Sequence, residues 1–195
     1  PALCVDTDPV NATFKGYEKL NVRRLNIMEG DEINTRNFDA LIEMIANHDG
    51  DVIIDNGASS FVPLSHYLVS NQVPALLADM GHQVVVHTVI TGSQALPDTL
   101  NGFAQLVTQY PDECQFVVWL NPYWGPVESE GKSFEQMKVY QANKNRVSSI
   151  IHIPALKAET YGRDWAEIQE ARITFDEALA RDSLTIMMRQ RLKLI

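Results

Sequence analysis

The apolar residues of the chain fall into short runs that are bounded by turn-forming residues. Most of these runs are nearly unbroken stretches of valine, isoleucine and leucine, a pattern typical of strands buried on both faces of a parallel sheet. We therefore predict strands at 2–6, 51–55, 83–90, 115–120 and 149–154, and a weaker strand at 22–28.

Between these runs the apolar residues return every three or four positions, which is the period of an α-helix. The segments 34–50, 96–111 and 132–146 show this period, and helical patterns continue from 161 to the end of the chain. Because strands and helices alternate, we predict an α/β fold of three layers with a mainly parallel sheet. We expect one domain, 1–195, with a strand-bearing part, 1–160, and C-terminal helices, 161–195.

Composition and charge are those of an ordinary globular chain with an acidic balance. Of its 195 residues 45% are hydrophobic and 21% are charged, and the net charge is −9. A surface that binds nucleic-acid phosphates needs clustered basic residues. The basic cluster of this chain lies near its end, is typical of a solvated helix face, and consists of Arg181, Arg189, Arg191 and Lys193. We therefore expect no direct contact of this chain with nucleic acid.

The cysteines and the hydropathy pattern favour a cytoplasmic protein. Cys4 and Cys114 lie far apart in apolar runs, so we interpret them as reduced core thiols. No apolar run approaches the roughly 20 residues of a membrane span, and no signal peptide is visible. The chain begins without a methionine, and a predicted strand is already under way at Leu3.

Polar residues follow several predicted strands at the edge where open α/β sheets bind ligands. Asp6 and Asp8 follow the first strand, Asp55 ends the second, and Asn121 and Pro154 follow two later strands. Carboxylates from neighbouring strand ends can hold the water shell of a nucleotide-bound Mg²⁺ and orient an attacking water. Aspartates at strand ends also cap turns and helices, and the residues alone leave both interpretations open.

The tripeptide Gly131-Lys132-Ser133 matches the end of a phosphate-binding loop, but its context does not. That loop has four residues between its glycines and lies directly between a strand and a helix. Here five residues separate Gly125 from Gly131, and Pro126 has no N–H group to donate. The preceding predicted strand ends at Leu120, ten residues too early for a tight turn into a helix. The segment is predicted to begin a helix instead.

Four segments, "CVDTDPVNATF", "DVIIDNGASS", "VVWLNPYWG" and "SIIHIPALKAET", occur in an order that is shared with known proteins. They resemble, in turn, switch I, the Walker B and switch II region, the strand with an adenine-reading Asn, and the following Ile-Pro strand of the ParA/MinD family of deviant Walker ATPases. The match covers most of residues 1–160. Longer stretches, including "VDTDPVNATFKGYEKLNVRRLNIMEGDEIN", resemble one branch over essentially the whole chain, the TraL family of plasmid and integrative-element conjugation.

The resemblance implies a P-loop NTPase-like fold with ATP and Mg²⁺ as cofactors. It makes Asp8 the catalytic residue that positions the attacking water, and places Asp6 and Asp55 near the metal, Asp55 through water. It makes Asn121 the residue that reads adenine, and Pro154 a part of the base pocket. It further implies partners in the conjugation machinery and a face-to-face homodimer around nucleotide.

The chain departs from the family in its phosphate loop and in both switches. The K-G-G-x-G-K-[ST] loop of the family lies on a first strand and helix that this sequence lacks, so we expect a fragment without its N-terminus that is not an active ATPase. Loss of that central strand would leave two neighbouring strands with unpaired edges. Val10 replaces the usual Gln, and Asn56-Gly57-Ala58 replaces a Pro-rich switch II.

Two functions therefore stay open at the level of sequence. The first is an ATPase of the ParA/MinD type that serves conjugative DNA transfer when complete. The second is a non-catalytic module that keeps the fold and acts by contacting transfer proteins. The aromatic residues Tyr123 and Trp124 fit ordinary loop packing, stacking over a base, or a partner contact.

Overall fold

The computed structural model describes residues 2–194, and the chain divides into two compact units. The first unit contains the residues up to Ser70 and from Leu156 onward, and the second contains Asn71–Ala155. The sequence predicted one domain with C-terminal helices at its end. In the structure those helices belong to the first unit, and the predicted strands are divided between the two units.

The first unit is built around a parallel sheet in which one strand lies between two others. Its strands are β1 (Leu3–Asp6), β2 (Arg23–Arg24), β3 (Met28–Glu29), β4 (Glu32–Ile33) and β5 (Val52–Asp55). The sheet has the order β2-β1-β5, and β3 and β4 form a separate antiparallel hairpin. The weak strand predicted at 22–28 is reduced to two residues, because the chain leaves the sheet to bury Leu25 and Ile27 in the core.

Two helices follow the strands of the first unit, α1 (Asp39–Ala46) and α2 (Ala58–Ser70). A turn of 3₁₀-helix precedes α1, and Asn34 caps this turn by accepting a hydrogen bond from the N–H of Arg36 at 3.0 Å. The sequence pattern predicted α1 but not α2, whose apolar period is interrupted by serines and by Pro63. Phe38 and Leu41 are fully buried and anchor α1 to the core.

The second unit is also built around a parallel sheet of three strands. Its strands are β6 (Val85–Thr91), β7 (Gln115–Asn121), β8 (Glu128–Ser129), β9 (Lys132–Ser133) and β10 (Val147–His152). The sheet has the order β10-β7-β6, with β7 in the centre. The central position explains why Phe116 and Val118 of β7 are completely buried. All five clear strand predictions are confirmed to within three residues at each end.

Three helices belong to the second unit, namely α3 (Val73–Asp79), α4 (Leu96–Gln109) and α5 (Lys138–Asn143). The predicted helix at 96–111 is confirmed as α4. The guanidinium of Arg146 closes its C-terminal end by donating to main-chain carbonyls, those of Val107 at 3.1 Å, Tyr110 at 3.0 Å and Pro111 at 2.7 Å.

The Gly131-Lys132-Ser133 tripeptide forms a hairpin rather than a phosphate loop. Glu130 and Gly131 have positive φ values of 50° and 72° and make the turn between β8 and β9. Ser133 then caps the 3₁₀ turn Phe134–Gln136 in a capping box with Gln136. The predicted helix start is thus present as a single turn, and the segment offers no cradle of N–H groups.

The C-terminal helices pack on one another around an apolar cluster. They are α6 (Arg163–Ala171), α7 (Phe175–Ala180) and α8 (Ile186–Leu192), and a π-helical turn, Ala158–Gly162, precedes them. Arg191 forms an ion pair with the buried Asp164 at 2.5 Å, and Arg189 donates to the carbonyls of Leu179 and Arg181. Two members of the predicted basic cluster are therefore engaged within the protein.

Both cysteines are buried and neither is in a disulfide. Burial raises the pKa of the Cys114 thiol to about 11, so this side chain stays protonated and unreactive at neutral pH. The described residues thus agree with the interpretation of both cysteines as core thiols.

Candidate functional site

The carboxyl ends of β1 and β5 meet at the same edge of the first unit's sheet. The two strands pair in parallel, with Leu3 opposite Val52 and Asp6 opposite Asp55. Thr7 fastens the strand ends together, because its N–H and its hydroxyl both donate to the main-chain carbonyl of Asp55, at 2.9 and 3.0 Å. The edge predicted from the sequence therefore exists in the first unit.

Asp6 is the most deeply buried member of this edge, with no exposed surface. One carboxylate oxygen accepts a hydrogen bond from the N–H of Asp8 at 3.0 Å, and the other accepts from the N–H of Lys15 at 2.8 Å. A buried carboxylate that receives main-chain N–H groups is satisfied without a counter-ion. Asp6 thus fastens both ends of the 8–15 loop to the sheet.

Asp8 stands in this fastened loop and lies against the first residues that follow β5. Its Oδ1 accepts a hydrogen bond from the N–H of Val10 at 2.9 Å, which forms a turn at Pro9. A Cβ atom added to Gly57 would lie 2.3 Å from Cγ of Asp8. The position occupied by Asp8 therefore requires glycine at 57, and the half-buried carboxylate keeps its second oxygen without a protein partner.

Asp55 completes the edge and is open to solvent. Partial burial raises the pKa of its carboxyl, and the neighbouring carboxylates of Asp6 and Asp8 raise it further. The effect of Asp6 and Asp8 on Asp55 indicates that the three acidic groups share one local electrostatic environment. A cation at this edge would offset the repulsion that raises the Asp55 pKa.

The donor set at this edge fits a water-mediated cation better than a directly bound one. Among residues 2–194, no group of three or more His, Cys, Asp or Glu side chains is arranged to hold a metal ion. Both oxygens of Asp6 are engaged by N–H groups, whereas Asp8 and Asp55 retain free oxygens. Mg²⁺ keeps several waters and needs few protein ligands, so two such carboxylates suit it through its water shell.

Asn121 and Pro154 lie at the carboxyl ends of adjacent strands in the second unit's sheet. Asn121 ends β7, and its Oδ1 accepts a hydrogen bond from the N–H of Tyr123 at 3.0 Å. Pro154 follows β10 by two residues, and the intervening Ile153 donates its N–H to the carbonyl of Leu120 at 3.0 Å. The two residues predicted for the base pocket thus share one sheet edge, and the Asn121 amide nitrogen is available as a donor.

Sequence reasoning missed the residues that hold the aspartates in place. Thr7 and Lys15 act through hydrogen bonds at the strand end, and Gly57 acts through the close approach of Asp8. Arg24, at the end of β2, donates to the carbonyl of Pro9 at 3.1 Å. A glycine next to a predicted strand-end aspartate was the one available signal, because only glycine permits such proximity.

These observations define an α/β protein whose first unit carries three carboxylates at the ends of two paired parallel strands. The chain is similar to two proteins of Escherichia coli that are both named Protein TraL. It is 76% and 73% identical to them over 193 residues, which are 99% of this chain and 80% of each relative. At this identity and coverage the chain belongs to the TraL family.

Comparison with protein-family models and with solved structures gave no match, and no described helix can span a membrane. No protein-family model matches the chain, and no solved structure does. Within residues 2–194, every helix is too short or too polar to cross a lipid bilayer.

Proposed function

We propose that this chain is part of a nucleotide-binding ATPase of the ParA/MinD type that acts in conjugative DNA transfer. The observation that carries the proposal is the pairing of β1 with β5, which brings Asp6, Asp8 and Asp55 to one edge with a raised Asp55 pKa. Perturbed carboxyl groups that cluster at a strand end are typical of sites that handle cations and protons. The four segments that resemble ParA/MinD ATPases support the assignment to that type. The name of the two relatives, Protein TraL, agrees with the conjugation branch of this resemblance.

Each aspartate has a distinct part in this proposal. Asp8 accepts a hydrogen bond from an attacking water through its free oxygen and holds that water in line. Asp55 binds the waters of a cation. Asp6 holds the loop that carries Asp8 in place through its hydrogen bonds with the N–H groups of Asp8 and Lys15. A bound Mg²⁺–nucleotide would supply the transferable phosphoryl group and the positive charge that balances these carboxylates.

The family resemblance assigns recognition of a base to Asn121 and Pro154, which lie at the sheet edge of the second unit. Because Oδ1 of Asn121 already accepts from Tyr123, its Nδ2 group is the atom free to donate to a ring nitrogen. Pro154 offers an exposed apolar ring and no N–H group. This arrangement favours a flat heteroaromatic base over a sugar or a carboxylate.

We propose that the longer protein also contains a phosphate-binding segment, and one unpaired strand edge in each unit supports this. Among the described strands, β5 pairs only with β1, and β6 pairs only with β7. Ile53 on β5 is 51% exposed, and Val89 on β6 is 47% exposed, which is unusual for parallel strands. We propose that each of these edges accepts further strand structure in the longer protein.

The test uses a protein extended to the full length of its relatives. We expect the extended protein to hydrolyse ATP in the presence of Mg²⁺. We also expect ATP at a hundredfold excess over its Kd to add about 2.7 kcal/mol to the free energy of unfolding and so to raise the melting temperature. Asp8→Ala should lower turnover at least ~100-fold because it removes the water-positioning base. Asp51→Ala, at the opposite end of β5, is the matched control and should leave turnover unchanged.

A second function is favoured by one specific observation. The described edge has no preformed metal cluster, and Asp6, one of the predicted metal residues, is fully engaged by main-chain groups. These features suit a non-catalytic module that keeps the fold and contacts other transfer proteins. An extended protein whose melting temperature does not respond to ATP, ADP or Mg²⁺ would overturn the first proposal and support this alternative.

A further inference from the structure

Two adjacent aromatic side chains project into solvent from the loop that follows β7. Tyr123 is 76% exposed and Trp124 is 66% exposed. Among residues 2–194 they are the only Phe, Tyr or Trp side chains that are more than half exposed. Their rings meet edge to face, with centroids 4.8 Å apart and an interplanar angle of 84°. The exposed rings show that ordinary loop packing does not account for these residues.

The loop that carries the two rings is fixed by its own main chain. The N–H of Tyr123 donates to the Asn121 side chain at 3.0 Å, and the N–H of Gly125 donates to the carbonyl of Pro122 at 3.0 Å. Gly125 has a φ of 137°, and a Cβ added to Gly92 would lie 2.1 Å from the Gly125 carbonyl oxygen. Because the loop is already ordered, it loses little conformational entropy when a partner covers the rings.

The sequence around the rings is acidic. Residues 121–136 contain three glutamates and a single cation, Lys132. The first of these glutamates, Glu128, is exposed and begins β8 four residues after Trp124, which places it within about 14 Å of that residue by chain length. Glu130 is also exposed, at the turn of the hairpin. The surface therefore combines aromatic faces with negative charge.

We propose that Tyr123, Trp124, Glu128 and Glu130 form a docking site for a protein segment that carries arginine or lysine side chains. Cationic groups are attracted to the faces of Trp and Tyr, and the glutamates supply opposite charge at the rim. Exposed Trp and Tyr side chains are the residue types that most often dominate binding energy at protein interfaces. A nucleic-acid strand is disfavoured, because its phosphates would meet the glutamates. This site does not depend on nucleotide binding or hydrolysis.

The experiment places a photo-crosslinking amino acid at position 123 of the full-length protein, in cells that carry its transfer genes. Met80, which is 50% exposed on the same unit, receives the same amino acid as a matched control. We expect an adduct from position 123, and none from position 80, that maps to a protein segment with a net positive charge. A synthetic peptide of that segment should bind the purified protein.

The peptide measurement then tests the individual side chains. Trp124→Ala should weaken peptide binding at least ~10-fold, as expected for an aromatic anchor that the bound peptide covers. The double variant Glu128→Lys with Glu130→Lys should weaken it further at low salt, whereas Glu113→Lys, an exposed glutamate of the same unit, should not. All four positions are exposed, so the melting temperatures should stay unchanged.

Several outcomes would overturn the proposal. They are the absence of an adduct at position 123, an adduct to a second copy of the chain or to nucleic acid, an adduct to a neutral or acidic segment, and a Trp124→Ala variant that binds the peptide normally. ATP turnover is measured separately on the same variants, so that failure of this site is distinguished from failure of the proposed ATPase.

Discussion

Each unit contains a charged side chain that main-chain groups satisfy through several hydrogen bonds, but the two side chains have opposite charges and different positions. In the first unit the Asp6 carboxylate receives two N–H groups at the carboxyl end of the sheet. In the second unit Arg146 donates to three carbonyls at the end of α4, immediately before β10 begins. The main chain can therefore satisfy a charge of either sign, and position decides whether that charge belongs to a functional edge.

The same contrast separates the two sheet edges that carry the predicted site residues. The edge of the first unit carries three carboxylates, and burial together with Asp6 and Asp8 raises the pKa of Asp55, whereas the edge of the second unit carries an amide, a proline and exposed aromatic rings. The first edge suits cations and water, and the second suits flat or cationic partners. Variants that change one edge and spare the other test this division of roles.

The largest effect on stability is expected in the second unit, from Arg146→Ala. The substitution removes the donor to the carbonyl of Val107 in α4 and to those of Tyr110 and Pro111 just after it, and should lower the free energy of unfolding by about 2–4 kcal/mol, measured by urea denaturation. The ion pair of Arg146 with Asp112 contributes little, because the Asp112 side chain is 95% exposed. Asp112→Ala is therefore the control, and a cost equal to that of Arg146→Ala would show that the carbonyl contacts do not stabilise α4.

A smaller effect is expected in the first unit from Asp6→Asn. The amide group presents an NH₂ to one of two N–H donors, so one hydrogen bond is lost, at a cost of about 1–3 kcal/mol. Hydrogen exchange at the amides of Asp8 and Lys15 should become faster in the protein without nucleotide or metal. Asp51→Asn, at the opposite end of β5, should leave both amides unchanged. Unchanged exchange in Asp6→Asn would show that Asp6 does not fasten the loop.

Gly57→Ala is expected to affect the site more than the stability. The added methyl group displaces the Asp8 carboxylate, which is the end of a short, half-buried side chain and can rotate, so the free energy of unfolding should change by less than about 1 kcal/mol. Turnover of the extended protein should fall nearly as far as in Asp8→Ala. Gly102→Ala in α4 is the control, because a Cβ atom added there meets no atom within 4 Å beyond its chain neighbours and its own helix backbone. This variant should retain turnover, and its free energy of unfolding should rise by a few tenths to about 1 kcal/mol. Equal turnover in Gly57→Ala and Gly102→Ala would contradict the proposed effect of Gly57 on the position of Asp8.

The smallest effect is a pH dependence at Asp55. Because the folded pKa is raised above the ordinary value of 3.8, the folded state binds the proton more tightly than the unfolded state does. The free energy of unfolding therefore falls as pH rises from below 3.8 through the raised pKa. Asp55→Asn lacks this loss, so the variant should become slightly more stable than the wild type across that window and equal to it below. An advantage of Asp55→Asn that appears at low pH instead would show that burial and the neighbouring carboxylates do not raise the Asp55 pKa.

The strand positions could be predicted because unbroken valine and isoleucine runs such as 51–55 and 115–120 have few alternatives to a buried strand. The helix α2 could not, because Pro63 and four serines hide its apolar period. The predicted edge carboxylates were found because ligand edges follow from strand direction alone. Whether Asp6 binds a metal or a main-chain donor depends on where the loop after it turns back, and Lys15 reaches it from nine positions away.

The sequence by itself determined the order of the five main strands and of the helices α1 and α4, the acidic balance, the family and the residues that end each main strand, because these properties depend on local pattern and residue identity. Only the tertiary structure decided that Asp6 is buried and engaged, that Asp8 needs Gly57 beside it, and that Tyr123 and Trp124 stand in solvent. Those properties depend on distances between residues that are remote in sequence, and such distances are fixed only when the parallel strands pair in register.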